Sequence, residues 1–374
     1  MTAGTTTTAD PGSEAGSARP SEKSSYLPTL DGWRCIAISM VLLSHGTPFV
    51  VSNGLLRTIL QMGEKGVSLF FGISGFLICS RLLKEESKYG RISLAGFYIR
   101  RAFRILPPAF TYLICISLLG VLGWIAVSPL EVTASALFFR NYMVSLLWPS
   151  PNGWYTGHYW SLSVEEHFYL AWPTLLLLLG RKRCVWFAVA ASLLSAGLRF
   201  AHLGFLRYHF ATQYRLDAIL CGCLAALLLE HKWFRSWVVR ARAPVWWGCG
   251  LFYVAVLCFT RQPLLPEAAV VPLILAGTVL HPASFVSRCL EWAPIRWVGR
   301  LSYSLYLWQQ LFLTHTNATL PVVQTWPFNV FAAFVFAAAS YYLVEQPMIR
   351  VGHRIAGAIR EKRKQAAVAA AATA

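Results

Sequence analysis

Ten residues separate Arg34 from His45 in the stretch YLPTLDGWRCIAISMVLLSHG, residues 26–46. At about 100° per residue, eleven steps make almost a whole number of helical turns. The two side chains therefore share one face, roughly 16 Å apart along the axis. A neutral imidazole can take the proton of a hydroxyl that reaches it, and a guanidinium suits phosphate oxygens. Both groups are costly in an apolar segment, where ionisable side chains are functional candidates by default. Simpler roles compete: His45 can hydrogen-bond a neighbouring helix, and Arg34 can snorkel to the interface while pairing with Asp31, three residues earlier.

Four further constellations carry polar chemistry. In FYIRRAFRILPP, Arg101 and Arg104 follow Arg100 and share a face if the segment is helical, which suits a bound phosphate as well as a cluster of loop charges. Pro107 and Pro108 fit the first turn of the helix that follows. In WSLSVEEHFYLAWP, Ser163 and Glu166 have capping-box spacing, which leaves Glu165 as the carboxylate that capping does not explain. Arg215 and Asp217 stand two apart, so each is expected to pair with another helix or to line a substrate path. Tyr303 and Tyr306, near Ser302 and Gln309, can donate to a substrate or anchor at the membrane interface. The nine cysteines are scattered, mostly in apolar segments, and Cys221 and Cys223 point to different faces. They read as small buried hydrophobes, and neither a metal site nor a disulfide is expected.

The elements that must position these groups are apolar helices. Of 374 residues, 56% are hydrophobic and 13% charged, with a mean hydropathy of +0.51. A soluble chain carries about 25% charged residues. The long continuous apolar runs predict an all-α polytopic membrane protein rather than a β-barrel. About ten transmembrane helices are expected, over 32–51, 66–83, 106–126, 163–180, 184–201, 213–230, 244–260, 264–281, 300–318 and 326–344. Residues 131–149 contain Arg140 and Asn141 and read as an outer loop or re-entrant segment.

Charge tests that count. Of the 33 Lys and Arg, five (Arg57, Lys65, Arg140, Arg207, Arg261) fall on one side of a ten-span chain. Two more, Arg199 and Arg215, lie within or at the edge of spans, leaving 26 on the other side. The positive-inside bias then makes both termini cytoplasmic. The same distribution turns the net charge of +17 into loop charge, so no nucleic-acid partner is expected. Residues 1–25, rich in Thr, Ala, Ser and Gly and without a signal peptide, read as a disordered cytosolic tail. Residues 26–350 form the membrane domain, and 351–374 a cytosolic tail, disordered or a frayed helix. No internal repeat of the transporter kind is visible.

In order and wording, LDGWRCIAISMVLLSH, GVSLFFGISGFLI, FYIRRAFRILP, WSLSVEEHFYLAWP, RLDAILCG and GRLSYSLYLW resemble the acyltransferase-3 family of integral membrane O-acyltransferases. The resemblance covers residues 26–350. It implies a ten-helix acyltransferase domain, an acyl-CoA (usually acetyl-CoA) as co-substrate with no bound cofactor, and a plasma-membrane location. The acceptor would be a surface glycan or another hydroxylated molecule. The family's Arg, ten residues, His pattern falls on Arg34 and His45 as the catalytic pair, and its Arg-x-x-Arg pattern on Arg101 and Arg104. Its acidic block falls on Glu165 and Glu166, and Glu165 is expected to join the catalytic set. Two positions depart from it: Gln309 stands where the family often has His, and His167 where it often has Gln. No outer esterase-like domain of the sort some members carry is seen, so transfer is expected to use the membrane helices. Together these imply that Arg101, Arg104 and Arg34 hold the donor phosphates while His45 serves as general base or takes up the acyl group. The competing class is a proton-coupled transporter in which His45, Arg34 and Asp217 line a path.

Overall fold

The computed structural model describes residues 26–46, 62–147, 153–201, 210–259, 265–314 and 319–373, and those residues form helices and no strand. Most termini of the expected helices shift by a few residues, but the helix expected from 106 begins twelve residues earlier, at Leu94, and the one expected from 300 begins at Ala293. The first helix is Pro28–Gly46, followed by Gly63–Tyr89 and Leu94–Val121. Later helices are Leu216–Leu229, Ala243–Phe259, Leu265–Leu280, Ala293–Phe312 and Phe328–Ser340, the last running through a π-turn (Tyr341–Glu345) into Gln346–Thr373. The C-terminal segment is thus helical through Thr373. The 1–25 segment, Arg57, Arg207 and Arg261 lie outside the described residues.

By length and composition, four of the described helices can cross a bilayer: Gly63–Tyr89, Leu94–Val121, Trp154–Ala201 and Phe328–Lys362. Leu216–Leu229, Pro244–Val256 and Leu265–Leu280 are apolar but shorter. The two spans expected over 163–180 and 184–201 occur as one helical stretch, Tyr159–Ala201, broken at Gly180 (φ 71°, ψ 169°). That backbone conformation suits glycine alone. The chain folds back there. The Cys184 thiol reaches the Leu175 carbonyl, nine residues earlier, at 3.6 Å. Beyond the break, Arg181 meets Glu86 near one end of the Gly63–Tyr89 helix, whereas Arg199 meets Asp217, whose neighbour Arg215 pairs with Glu64 at the other end.

Two local expectations are corrected. Pro107 and Pro108 sit inside the Leu94–Val121 helix, because Ser93 caps it almost four turns earlier, accepting from the Gly96 amide at 3.2 Å. The helix forfeits two amide donors there, and the Pro107 carbonyl is taken up by the Thr111 hydroxyl at 2.8 Å. Ser163 caps nothing. The helix begins at Tyr159, and the Ser163 hydroxyl donates to the Tyr159 carbonyl at 2.9 Å, so neither Glu165 nor Glu166 serves a capping box. Within 131–149 the chain forms two short helices, Pro129–Ala136 and Arg140–Leu147, turned at Phe138 (φ 52°) and tied by a buried Arg140–Glu131 pair at 3.1 Å.

The Gly63–Tyr89 helix packs against Leu216–Leu229 through glycine. A Cβ on Gly75 would stand 1.9 Å from the Ile219 carbonyl, and one on Gly222 would stand 2.4 Å from that of Gly72. Such close backbone approach is how helices gain contact where lipid is as apolar as leucine. The first helix lies against Ala293–Phe312, where Gly299 leaves room for the Asp31 carbonyl. Phe71, Phe76, Tyr112, Tyr159 and Trp172 fill the interior, while Leu118, Leu178, Trp186 and Phe331 face outward.

Candidate active site

Five helices converge on a polar cavity of about 80 Å³, room for several waters. The first helix supplies Arg34. Leu94–Val121 supplies Arg101 and Arg104, which share a face because the early Ser93 cap keeps them helical. Glu165 and Tyr169, one turn apart, come from Tyr159–Ala201, and Ser74 from Gly63–Tyr89. Tyr303 and Tyr306 come from Ala293–Phe312. Thus seven of the sequence-derived candidates are drawn together: Arg34, Arg101, Arg104, Glu165, Tyr303 and Tyr306 on the lining, with Asp31 behind Arg34.

The lining carries three cations and one carboxylate. Glu165 is satisfied on both oxygens, accepting from the Ser74 hydroxyl at 2.7 Å and the Tyr169 hydroxyl at 3.0 Å. The Tyr169 ring lies under the Arg101 guanidinium at 4.7 Å, a cation–π contact that orients its planar fork. Asp31 approaches Arg34 at 3.6 Å and also accepts from the Tyr26 hydroxyl. Among the described residues, Arg101 and Arg104 have no hydrogen bond or ion pair, so their donors are available to an anion. The two tyrosine hydroxyls are committed to the protein. Tyr303 donates to the Ile105 carbonyl at 2.8 Å, and Tyr306 meets the Ser161 hydroxyl at 2.6 Å and the His158 carbonyl at 3.2 Å.

His45 is not on this lining. It stands eleven positions along the first helix from Arg34, with Nδ1 at 2.9 Å from Gln309 Oε1 and its ring edge-on to Trp154 at 5.5 Å. Tyr306, one turn before Gln309, connects the two regions: its ring lines the cavity and its carbonyl accepts from Gln309 Nε2 at 3.4 Å. Arg215 and Asp217 are brought elsewhere. Asp217 receives both terminal nitrogens of Arg199, at 2.9 and 2.5 Å, and Arg215 reaches Glu64 at 2.8 Å, each on another helix as the two-residue spacing predicts. Lys65 joins Glu267 nearby at 2.6 Å. This second cluster holds three cations and three carboxylates and is internally neutral.

Sequence reasoning overlooked several members. Tyr169 follows Glu165 by four residues on one helix face, so its place beside that carboxylate was legible. Ser74, Ser161 and Gln310 carry no local signal, since only packing brings them to the site. Nor does His158, buried among Tyr112, Tyr159 and Tyr306 with neither ring nitrogen paired among the described residues.

A bundle of apolar helices enclosing two arginines, Arg101 and Arg104, with no acidic partner among the described residues defines an integral membrane protein with an anion-seeking core. The chain belongs to the acyltransferase-3 family, whose acyltransferase-domain model matches residues 27–345. It is 28% identical to the peptidoglycan O-acetyltransferase OatA of Listeria monocytogenes, over 87% of this chain and 56% of that protein. YrhL of Bacillus subtilis, provisionally named a peptidoglycan O-acetyltransferase, is 27% identical over 88% of this chain and 56% of its own length. A provisionally named O-acetyltransferase of Staphylococcus aureus is 26% identical over 88% and 58%. The chain therefore spans a little over half the length of these relatives. No solved structure matches it.

Proposed function

We propose that this chain is a membrane-embedded O-acyltransferase that moves an acyl group, most simply acetyl, from acyl-CoA to a hydroxyl of a surface glycan. The observation that carries the reading is the pair Arg101 and Arg104, facing a cavity with no protein acceptor, beside Arg34 at one end of the helix that bears His45. The names of the relatives support a glycan acceptor. In this reading the chain crosses the plasma membrane ten times with both termini in the cytoplasm, and the arginine end of the first helix faces the cytoplasmic acyl-CoA pool.

The donor phosphates sit on Arg101, Arg104 and Arg34, and the pantetheine arm runs along the first helix toward His45, roughly 16 Å away. His45 takes the proton of the acceptor hydroxyl as its oxygen adds to the thioester carbonyl. The adduct collapses with loss of the C–S bond, and the departing thiolate recovers the proton from His45, so the products are the O-acyl glycan and free CoA. Glu165, held by Ser74 and Tyr169, keeps the Arg101 platform in place. General-base assistance of this kind contributes about 10²–10⁴-fold in rate.

The deciding experiment supplies labelled acetyl-CoA to membranes containing the protein and follows label into glycan. His45→Ala is expected to insert normally and transfer nothing. Wild-type turnover in that variant, or transport of a solute with no consumption of acetyl-CoA, would overturn the assignment.

A further inference from the structure

Behind His45 runs a relay of buried amides whose polarity is set at its far end. Gln310 is 3% exposed and Gln309 fully buried. The Gln310 side chain lies 2.9 Å from the Trp154 carbonyl oxygen, which can only accept, so the atom facing it is the Nε2 donor. Gln310 Oε1 is thereby turned to Gln309, 2.9 Å away, and must receive Nε2 of that amide. A second backbone acceptor enforces the same orientation, because the Tyr306 carbonyl lies 3.4 Å from Gln309 Nε2. Both hydrogens of the Gln309 amide are then committed, and its Oε1 is the atom left at 2.9 Å from His45 Nδ1. An amide oxygen has no proton to give. The hydrogen between them must belong to the imidazole.

We infer that Gln309, locked by Gln310 and the Trp154 carbonyl, is a positioning residue that holds neutral His45 in the Nδ1–H tautomer and so leaves Nε2 as the basic nitrogen. Turning both amides together is the only other internally consistent arrangement. It sets Gln310 Oε1 against the Trp154 carbonyl at 2.9 Å and Gln309 Oε1 against the Tyr306 carbonyl at 3.4 Å, two acceptor–acceptor contacts in a buried site. The relay thus does for His45 what a buried carboxylate does for the histidine of a hydrolytic triad: it fixes which nitrogen carries the lone pair and how the ring is turned. A neutral amide differs from a carboxylate in one respect. It does not neutralise the imidazolium formed when Nε2 accepts the acceptor's proton, which favours prompt return of that proton to the departing thiolate. Trp154 closes the loop, its indole Nε1–H donating to the Gln310 backbone carbonyl at 2.9 Å while its ring packs on His45. The inference rests on His45 being the base proposed above.

Two measurements test it separately from that reading. Histidine-selective ¹⁵N labelling of the full chain in detergent or nanodiscs, with His45→Ala identifying the resonance among nine histidines, reads the tautomer directly and without turnover. A protonated Nδ1 with an unprotonated Nε2 is expected; the reverse pattern overturns the inference. In the labelled acetyl-CoA assay, Gln309→Leu removes the acceptor and is expected to lower kcat by about 10- to 100-fold, a part of the roughly 10²–10⁴-fold that general-base catalysis contributes, with the acyl-CoA KM within about twofold. The same ¹⁵N labelling of Gln309→Leu is expected to show His45 no longer held to the Nδ1–H form, a change that a merely structural defect would not produce; an unaltered tautomer in that variant overturns the inference. Full activity in Gln309→Leu alongside an inactive His45→Ala would refute the relay and leave the base intact. Activity in His45→Ala would refute both.

Discussion

Replacing Arg101 with Ala removes one of the three cations on the cavity lining and leaves two against Glu165. The guanidinium has no protein acceptor among the described residues, so little structural cost is expected; what the proposed donor-binding role predicts is the loss of one contact to the ligand. A hydrogen bond to a charged group is worth about 1.5–3 kcal/mol, equivalent to a rise of roughly 10- to 150-fold in the KM for acyl-CoA. Arg101→Lys keeps the charge but gives up both the fork and the stacking on Tyr169 at 4.7 Å, so an intermediate effect is expected. The assay is initial-rate transfer in proteoliposomes with two donors, acetyl-CoA and S-acetylpantetheine, the second lacking the nucleotide phosphates. If Arg101 reads phosphate, the variant loses its roughly 10- to 150-fold on acetyl-CoA and almost nothing on the truncated donor. Equal losses on both donors, or an unchanged acetyl-CoA KM, would show that Arg101 does not bind the phosphates.

Two other substitutions probe the scaffold. A Cβ at Gly75 stands 1.9 Å from the Ile219 carbonyl against about 3.4 Å for ordinary contact, so Gly75→Ala must push the two helices about 1.5 Å farther apart. Overpacking of that kind costs about 1–3 kcal/mol and should lower the Tm in detergent, while Gly197→Ala, with nothing within 4 Å, should leave it unchanged. Breaking the buried Arg199–Asp217 pair by Asp217→Asn should cost about 3–5 kcal/mol, and the double variant Arg199→Met with Asp217→Leu should regain much of it, as thermal unfolding would record. A single variant as stable as the parent would remove the pair from the architecture.

Much of the bundle is legible in the sequence because apolar runs, helix period and charge asymmetry are local properties. The helices expected over 244–260 and 264–281 need almost no revision of their ends, and Arg34 to His45 does form one helix. Where structure and sequence disagree, a local motif yields to its surroundings. Ser163 has the spelling of a cap yet lies inside a helix already begun at Tyr159, and the tandem prolines lie mid-helix because Ser93 starts that helix earlier. A capping signal competes with every other start site nearby, and packing settles the competition.

The site divides the same way. Residue types and spacing alone determined that Arg34, Arg101 and Arg104 were cations placed on helix faces, that Asp31 could meet Arg34, and that Arg215 and Asp217 would look to different helices. Only the tertiary structure decided that the three arginines share one cavity while Arg215 and Asp217 belong to a separate, neutral cluster. It alone placed Gln309 against His45, 264 positions away along the chain. Helix periodicity sets which way a side chain points, whereas the partner it meets depends on how helices distant in sequence pack, and glycine contacts such as Gly299 against the Asp31 carbonyl set that packing.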